Sequence, residues 1–337
     1  MSGPVLVETT RGGQVESRHR GAVAVVDAQG GMALALGDVD QPVFPRSAIK
    51  GLQALPLVET GAADKYGLDA AEIALACSSH SGEAVHAAAA GAMLAKARRD
   101  GASLECGAHW PLGEAAARQL AREGRTPTAL HNNCSGKHAG FVCLACASGD
   151  DPKGYIGIDH PVQRAIRATL EEMTQTTIDP AQAGVDGCSI PTYATPLAAL
   201  ARAFARFGSG EKLPRARAQA AERIRSASAR HPHMVAGTGR FDTDVMGALG
   251  ERAFVKTGAE GVHCAAFPEL GLGVAIKCED GAGRAADAIM AGVIARFLKL
   301  DDRETAALAP RLAPRLVNWN GIEVGRIRVT DAVLPHD

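Results

Sequence analysis

The chain has 337 residues, 46% of them hydrophobic, 22% charged and 4% aromatic, with a formal net charge of −1. That composition excludes a disordered, collagen-like or coiled-coil protein. The balance of 36 basic against 37 acidic residues leaves no long-range attraction toward nucleic acid or an anionic membrane. In chain order, VLVETT, QVESRH and AVAVVDAQGGMALALGD predict a small antiparallel meander with a tip near Gln29-Gly30-Gly31. A helical pattern follows from about 47 to 62, and residues 71–77 read as a short buried strand or an apolar helix. Further helices are predicted at 83–99, 114–123, 136–148, 161–175, 197–207 and 214–229. AFVKTGAEG, VHCAAFP and LGVAIKCED then read as two or three antiparallel strands with a tip at Pro268-Glu269-Leu270-Gly271. A long amphipathic helix at 284–299 and a terminal strand in GIEVGRIRVTDAV complete the pattern.

This order predicts an α+β fold. Sheet-forming segments at about 1–45 and 250–337 join one antiparallel sheet, helices cover it, and about 46–245 forms a helical lobe of the same 1–337 domain. Strands and helices do not alternate as a parallel βαβ fold requires, and neither common nucleotide-binding glycine motif is present. No window of about 18 residues is apolar and charge-free, so no membrane-spanning helix is expected. The opening MSGPVLVETTRGG lacks a basic stretch followed by an apolar one, so no signal peptide is expected either. Eight cysteines in a chain of this size read as reduced thiols of a cytoplasmic protein rather than a disulfide scaffold.

Three short motifs carry chemistry. Ser47-Ala48-Ile49-Lys50 is an S-x-x-K; on a helix, positions i and i+3 share a face, which places the Lys50 amine beside the Ser47 hydroxyl. A serine becomes a useful nucleophile when a neighbouring base takes its proton, and a lysine is one such base. At a helix start Ser47 would also have free backbone N–H groups near it to stabilise an oxyanion; the plainer reading of Ser47 is an N-cap. Ser79-His80-Ser81 follows the apolar run ending at Cys77, and Lys256-Thr257-Gly258 lies in a strand pattern. The order S-x-x-K, a second serine loop, then K-T-G resembles that of penicillin-recognising serine hydrolases. Among the thiols, Cys134 with Lys137 or His138, together with Cys188, forms a candidate site for a borderline metal such as Zn²⁺. By donor chemistry His138 is favoured over Lys137, because an amine must lose its proton to ligate. Cys143 and Cys146 in an apolar helical run read as core packing, and Arg46 is placed to bind a substrate carboxylate.

Taken together, RSAIK at 46–50, CSSHSGE at 77–83, NNCSGKHAG at 132–140, VDGCSIPT at 185–192, HPHMVAGTGR at 231–240 and VKTGAEG at 255–261 resemble the asparaginase II family, the rhizobial-type L-asparaginases. The resemblance spans nearly the whole chain, with a more distant similarity to the serine β-lactamase and glutaminase fold. It implies hydrolysis of L-asparagine to L-aspartate and ammonia by a homodimer. It implies two Ser–Lys tandems, Ser47 with Lys50 and Ser79 with Lys256, Ser47 being the nucleophile. It puts the Zn²⁺ ligands on Cys134, Lys137 and Cys188, against the preference for His138, and substrate contacts on Arg46, His80, Asn133 and Asp186. Competing readings are a serine amidase or β-lactam-recognising hydrolase of another substrate, and a non-catalytic amino-acid sensor.

Overall fold

The computed structural model describes residues 3–335. Strands β1 (Val5–Arg11), β2 (Gln14–Asp27) and β3 (Met32–Leu36) come first, and β4 (Phe254–Thr257), β5 (Val262–Phe267) and β6 (Leu272–Cys278) follow the helical middle. Strands β7 (Arg315–Val317) and β8 (Glu323–Val329) complete one antiparallel sheet in the order β7-β8-β1-β2-β6-β5-β4, with β3 also paired to β2. The fold is therefore α+β, and its sheet is built from segments at both ends of the sequence.

Local chemistry explains where the elements depart from the predicted pattern. QVESRH and AVAVVD are one strand, not two: the first half of β2 pairs with β1 and the second half with β6. The AFVKTG-to-KCED region gives three strands. The ambiguous stretch at 71–77 is a helix, α1 (Ala70–Ala76), whose start is fixed by reciprocal capping between Asp69 and Glu72. The helical pattern at 47–62 breaks into a 3₁₀ turn, Arg46–Ile49, and short helices Lys50–Gln53 and Leu55–Glu59. Pro56 has no N–H to continue the ladder there. Helices α2 (Ala84–Lys96), α3 (Glu114–Arg122), α4 (Ser135–Ser148), α5 (Pro161–Thr174), α6 (Leu197–Ser209) and α7 (Arg215–Arg230) lie within a residue or three of their predicted ranges. So does α9 (Gly283–Phe297), whereas α8 (Phe241–Leu249) and α10 (Asp302–Leu312) go beyond the predicted set, as does strand β7.

The sheet lies between helical layers. Alternation along the strands puts Ala24, Ala275, Cys264 and Lys256 on one face and Val23, Ile276, His263 and Thr257 on the other. Helix α6 packs on the first face at backbone contact distance: a Cβ on Gly273 would lie 2.0 Å from Ala201 O and 2.1 Å from Ala205 N. Helix α9 covers the second face, where Asp287 reaches His263. The buried apolar side chains form one connected cluster that continues from the sheet through α6 into α1, α2 and α4. Among the described residues no helix is long and apolar enough to cross a membrane.

Because Gly273 has no room for a methyl group, Gly273→Ala forces α6 away from the sheet. A loss of about 1–3 kcal/mol or more is expected, read as a lowered urea midpoint; an unchanged midpoint would contradict this packing.

Candidate active site

Ser47 lies in the 3₁₀ turn between the loop after β3 and the short helix that begins at Lys50. Its turn is held from below by strand β4. A Cβ on Gly258 would meet Val262 O at 2.7 Å and both Ala48 N and Pro45 O at 3.0 Å, so only glycine lets the Lys-Thr-Gly strand approach the serine turn this closely. Ser47 is not at the start of an α-helix with free donors, as the sequence suggested. The Ala48 N–H is committed to Pro45 O at 3.0 Å, and the Lys50 N–H goes to Ser47 O. The Ser47 side chain is partly exposed and, among the described residues, hydrogen-bonds to none. Arg46 beside it sits at φ 50°, in the left-handed region a β-substituted residue rarely occupies.

Lys50 is buried and places its ammonium among three acceptors: Ser78 O at 2.5 Å, Ser79 Oγ at 2.9 Å and Cys134 Sγ at 3.1 Å. The structure thus joins Lys50 to Ser79 directly, across the two motifs paired separately by the family resemblance. The Ser79 loop is pinned at both ends by main-chain bonds, Ser79 N to Val235 O at 2.9 Å and His80 N to Asn133 O at 3.0 Å. His80 is fully buried with both ring nitrogens engaged: Nδ1 accepts from Gly82 N at 3.0 Å, and Nε2 meets Ser135 Oγ at 2.8 Å. Burial holds its pKa well below the usual histidine value, so the ring is neutral. Behind it His86 and His233 stack in series, with ring centroids 4.8 and 5.1 Å apart. Both His80 ring nitrogens are thus filled from within the protein, and Asn133, whose carbonyl holds the His80 N–H, donates its own backbone N–H to His109 Nε2 at 3.1 Å.

The second cluster is made of sulfur and nitrogen. Lys137, on the first turn of α4, is buried and donates to Cys188 Sγ at 3.0 Å. Cys134 precedes α4, its amide donating to Asn132 Oδ1 at 2.8 Å. A hydrogen bond from Cys188 and the charges of Lys50 and Lys137 hold the Cys134 thiol well below its usual pKa despite burial, so it is drawn toward the thiolate. His138 points elsewhere, its Nδ1 lying 2.6 Å from Tyr155 Oη; the donor-chemistry preference for it is overturned because the next position on a helix faces another way. All eight cysteines are free, and Cys143 is buried in the core against Met93 O.

The charged rim is an ion pair. Arg46 Nε donates to Asp186 Oδ2 at 2.7 Å, with both side chains mostly buried. Burial works against the Asp186 carboxylate, but the Arg46 hydrogen bond and the Lys137 charge hold it below the usual range. Arg46, Ser47, Lys50, Lys137 and Asp186 line one narrow crevice, closed down around these side chains. Larger hollows on the surface, such as the one beside Arg223 and Arg225 on α7, hold no such convergence of hydroxyl and amine.

Lys256 approaches from the sheet. It is completely buried, and its Nζ donates to Asp242 Oδ2 at 3.1 Å and to Thr257 O at 2.8 Å. Burial pushes its pKa down to about 8, against the pull of Asp242 and with the Lys50 charge adding to the effect. Asp242 also accepts from Thr257 N at 3.0 Å and Thr257 Oγ1 at 3.1 Å. Sequence reasoning passed over Asp242. Its only local signal is an acidic residue in the first turn of α8, which reads as ordinary helix-dipole pairing.

Residues 7–329 match the sequence profile of the L-asparaginase II family. No curated protein matches the chain. Among solved structures the chain is similar to a β-lactamase from Mycobacterium bovis, at 14% identity over 79% of this chain and 89% of that one, with a TM-score of 0.38. It is also similar to a mutant simvastatin synthase from Aspergillus terreus, at 11% identity over 77% and 86%, with a TM-score of 0.40.

Asp242→Leu leaves the Lys256 ammonium buried without a counter-charge and is expected to cost about 3–5 kcal/mol. Adding Lys256→Met should restore part of that stability, leaving the loss of the Thr257 bonds. Equal urea midpoints for the single and double variants would show that the pair is not coupled.

Proposed function

The chain belongs to the L-asparaginase II family, and on that premise we propose that it hydrolyses L-asparagine to L-aspartate and ammonia. Membership makes it an asparaginase-type amidohydrolase. The observation that supports the finer reading is the placement of a partly exposed serine hydroxyl, a buried lysine and a mutually neutralising Arg–Asp pair around one cleft.

Asparagine is a zwitterion with an amide two bonds from its charged centre. Its α-carboxylate takes the Arg46 fork and its α-ammonium takes Asp186, so the ligand replaces each group's present partner with one of the same sign. An amide lacking either charge would leave Arg46 or Asp186 buried and unpaired, a strong source of discrimination. With the substrate so held, the Ser47 hydroxyl attacks the side-chain amide carbon and its proton passes to Lys50 Nζ. As an ammonium Lys50 is saturated by its three acceptors; it serves as base once one proton is handed on through the Ser79 hydroxyl. The C–N bond then breaks, ammonia departs carrying the proton from Lys50, and a β-aspartyl ester on Ser47 remains. Water, deprotonated by the same amine, cleaves the ester and returns the proton to Ser47. Lys256, held by Asp242, adds positive charge to the interior that helps to balance the developing negative charge.

Cys134, Lys137 and Cys188 are a fitting donor set for Zn²⁺: two sulfurs and an amine, buried together, with Cys134 already drawn toward the thiolate. When bound, such an ion would supply fixed positive charge at the edge of the substrate site. The family resemblance also supports a homodimer, and eight free thiols fit a reducing, cytoplasmic setting.

A second reading has its own support: the 2.9 Å bond from Lys50 to Ser79 makes Ser79 the better-connected hydroxyl. Covalent trapping separates the two. Purified protein is given L-asparagine, ammonia is measured, and the acid-quenched enzyme is weighed for a β-aspartyl adduct. Ser47→Ala is expected to lose the adduct and to lower turnover by about 10³-fold or more; Ser79→Ala is expected to slow turnover while still forming the adduct. The reverse pattern exchanges their roles. Stabilisation by L-asparagine with no ammonia from the wild type would make the protein an amino-acid sensor. In parallel, Cys188→Ala is expected to lower the zinc content measured by elemental analysis, and an unchanged content would remove the zinc site from this reading.

A further inference from the structure

Three donors of different chemistry meet on the sheet face opposite Lys256. His19 lies in β2 and Cys278 ends β6, and the register sets Cys278 against Gly21, two residues from His19. Both side chains therefore emerge on the face that carries Val23 and Ile276. Asp280, in the turn that leads toward α9, folds back over them. Its Oδ2 lies 2.6 Å from His19 Nδ1, and its Oδ1 accepts from Cys278 Sγ at 3.0 Å. The three ligand atoms all fall within 4.8 Å of one another. His19 and Cys278 are buried, whereas the Asp280 side chain is 47% exposed, so the cluster has a buried floor and one wet side. Thr9 Oγ1 stands 3.5 Å from the other ring nitrogen of His19.

A carboxylate that gathers protons from an imidazole and a thiol marks a place where one cation of higher charge can take over from them. One sulfur, one nitrogen and one oxygen suit a borderline divalent ion and do not suit Mg²⁺ or Ca²⁺, which prefer all-oxygen shells. We propose that His19, Cys278 and Asp280 form a metal site for Zn²⁺ or a similar transition-metal ion, separate from the substrate cleft, with one coordination position open to solvent beside Asp280. Binding breaks the Cys278 S–H bond and releases one proton per ion. A neutral His19 shifts its ring proton from Nδ1 to Nε2, toward Thr9 Oγ1, which then orients the ring as an outer partner. The Asp280 carboxylate stays in place, because its Oδ1 also accepts from the Ala282 N–H at 3.0 Å. The ion would clip the middle of β2 to the turn between β6 and α9, fastening the junction at which β2 changes partners from β1 to β6.

The test is a Co²⁺ titration of the chelator-treated full chain, followed by near-ultraviolet thiolate-to-cobalt absorption and by bound metal per chain. The wild type is compared with Asp280→Asn, whose side chain is half exposed and whose amide can still cap the turn, and with His19→Ala. The expected result is that the wild type binds one equivalent more than His19→Ala. Asp280→Asn should hold that equivalent about tenfold or more weakly, with circular dichroism spectra matching the wild type. The same difference should persist when Cys188→Ala is added to each chain, which sets it apart from the cleft. No metal uptake by the wild type, or titrations that His19→Ala and Asp280→Asn leave unchanged, would overturn the proposal.

Discussion

Three lysines, Lys50, Lys137 and Lys256, are buried almost completely. An ammonium group taken out of water is tolerable only if oxygen or sulfur surrounds it, and this requirement shapes the interior of the molecule. Lys50 draws together the Ser78–Ser79 loop and the Cys134 turn. Lys137 reaches across from α4 to the Cys188 turn, and Lys256 ties the edge strand β4 to the start of α8. Each lysine thereby joins segments that lie apart in sequence, and Lys50 and Lys137 both line one narrow crevice. Burial, with a smaller contribution from the like charge of Lys50, pushes the Lys256 pKa down even though it is paired with Asp242. One amine, Lys256, is thereby drawn toward neutrality and one thiol, Cys134, toward ionisation, the kind of perturbation that proton transfer and metal binding both use.

The strands and most helices were legible in the sequence because their signals are local. Alternation marks β4 to β6, and alanine-rich periodicity marks α2 and α4. What was hidden depends on partners. Whether 71–77 is strand or helix turns on burial, which is equal in both, and only the Asp69–Glu72 capping favoured a helix. That QVESRH and AVAVVD form one strand is decided by β1 and β6, which bind its two halves and are widely separated in sequence. Likewise Pro310 inside α10 reads as a helix breaker, yet Asp301 and Glu304 cap the helix at its other end.

The site was legible as a list of reactive residues and less so as a network. The motifs named Ser47, Lys50, Ser79 and Lys256, but i, i+3 spacing suggested a Ser47–Lys50 contact, where the folded chain turns Lys50 toward Ser79. A 3₁₀ turn keeps i and i+3 on one face, so both side chains do line the same crevice; it is the acceptors on the Ser78–Ser79 loop and Cys134 that aim the Lys50 amine. Asp242 carried no distinguishing signal, since its importance lies in the strand it faces. His80 looked like a polar group in a reactive loop; the folded chain fills both its ring nitrogens with partners of its own.

The sheet has its own consequence for how the molecule is made. Strand β1 pairs with β8, so Val7 faces Val329, and β2 finds β6 only after the helical middle has been synthesised. Contacts of such separation form late and slowly. During translation the opening hairpin must wait with an apolar edge uncovered while more than half of the chain is still to emerge, an interval in which strand-to-strand misassociation competes with folding.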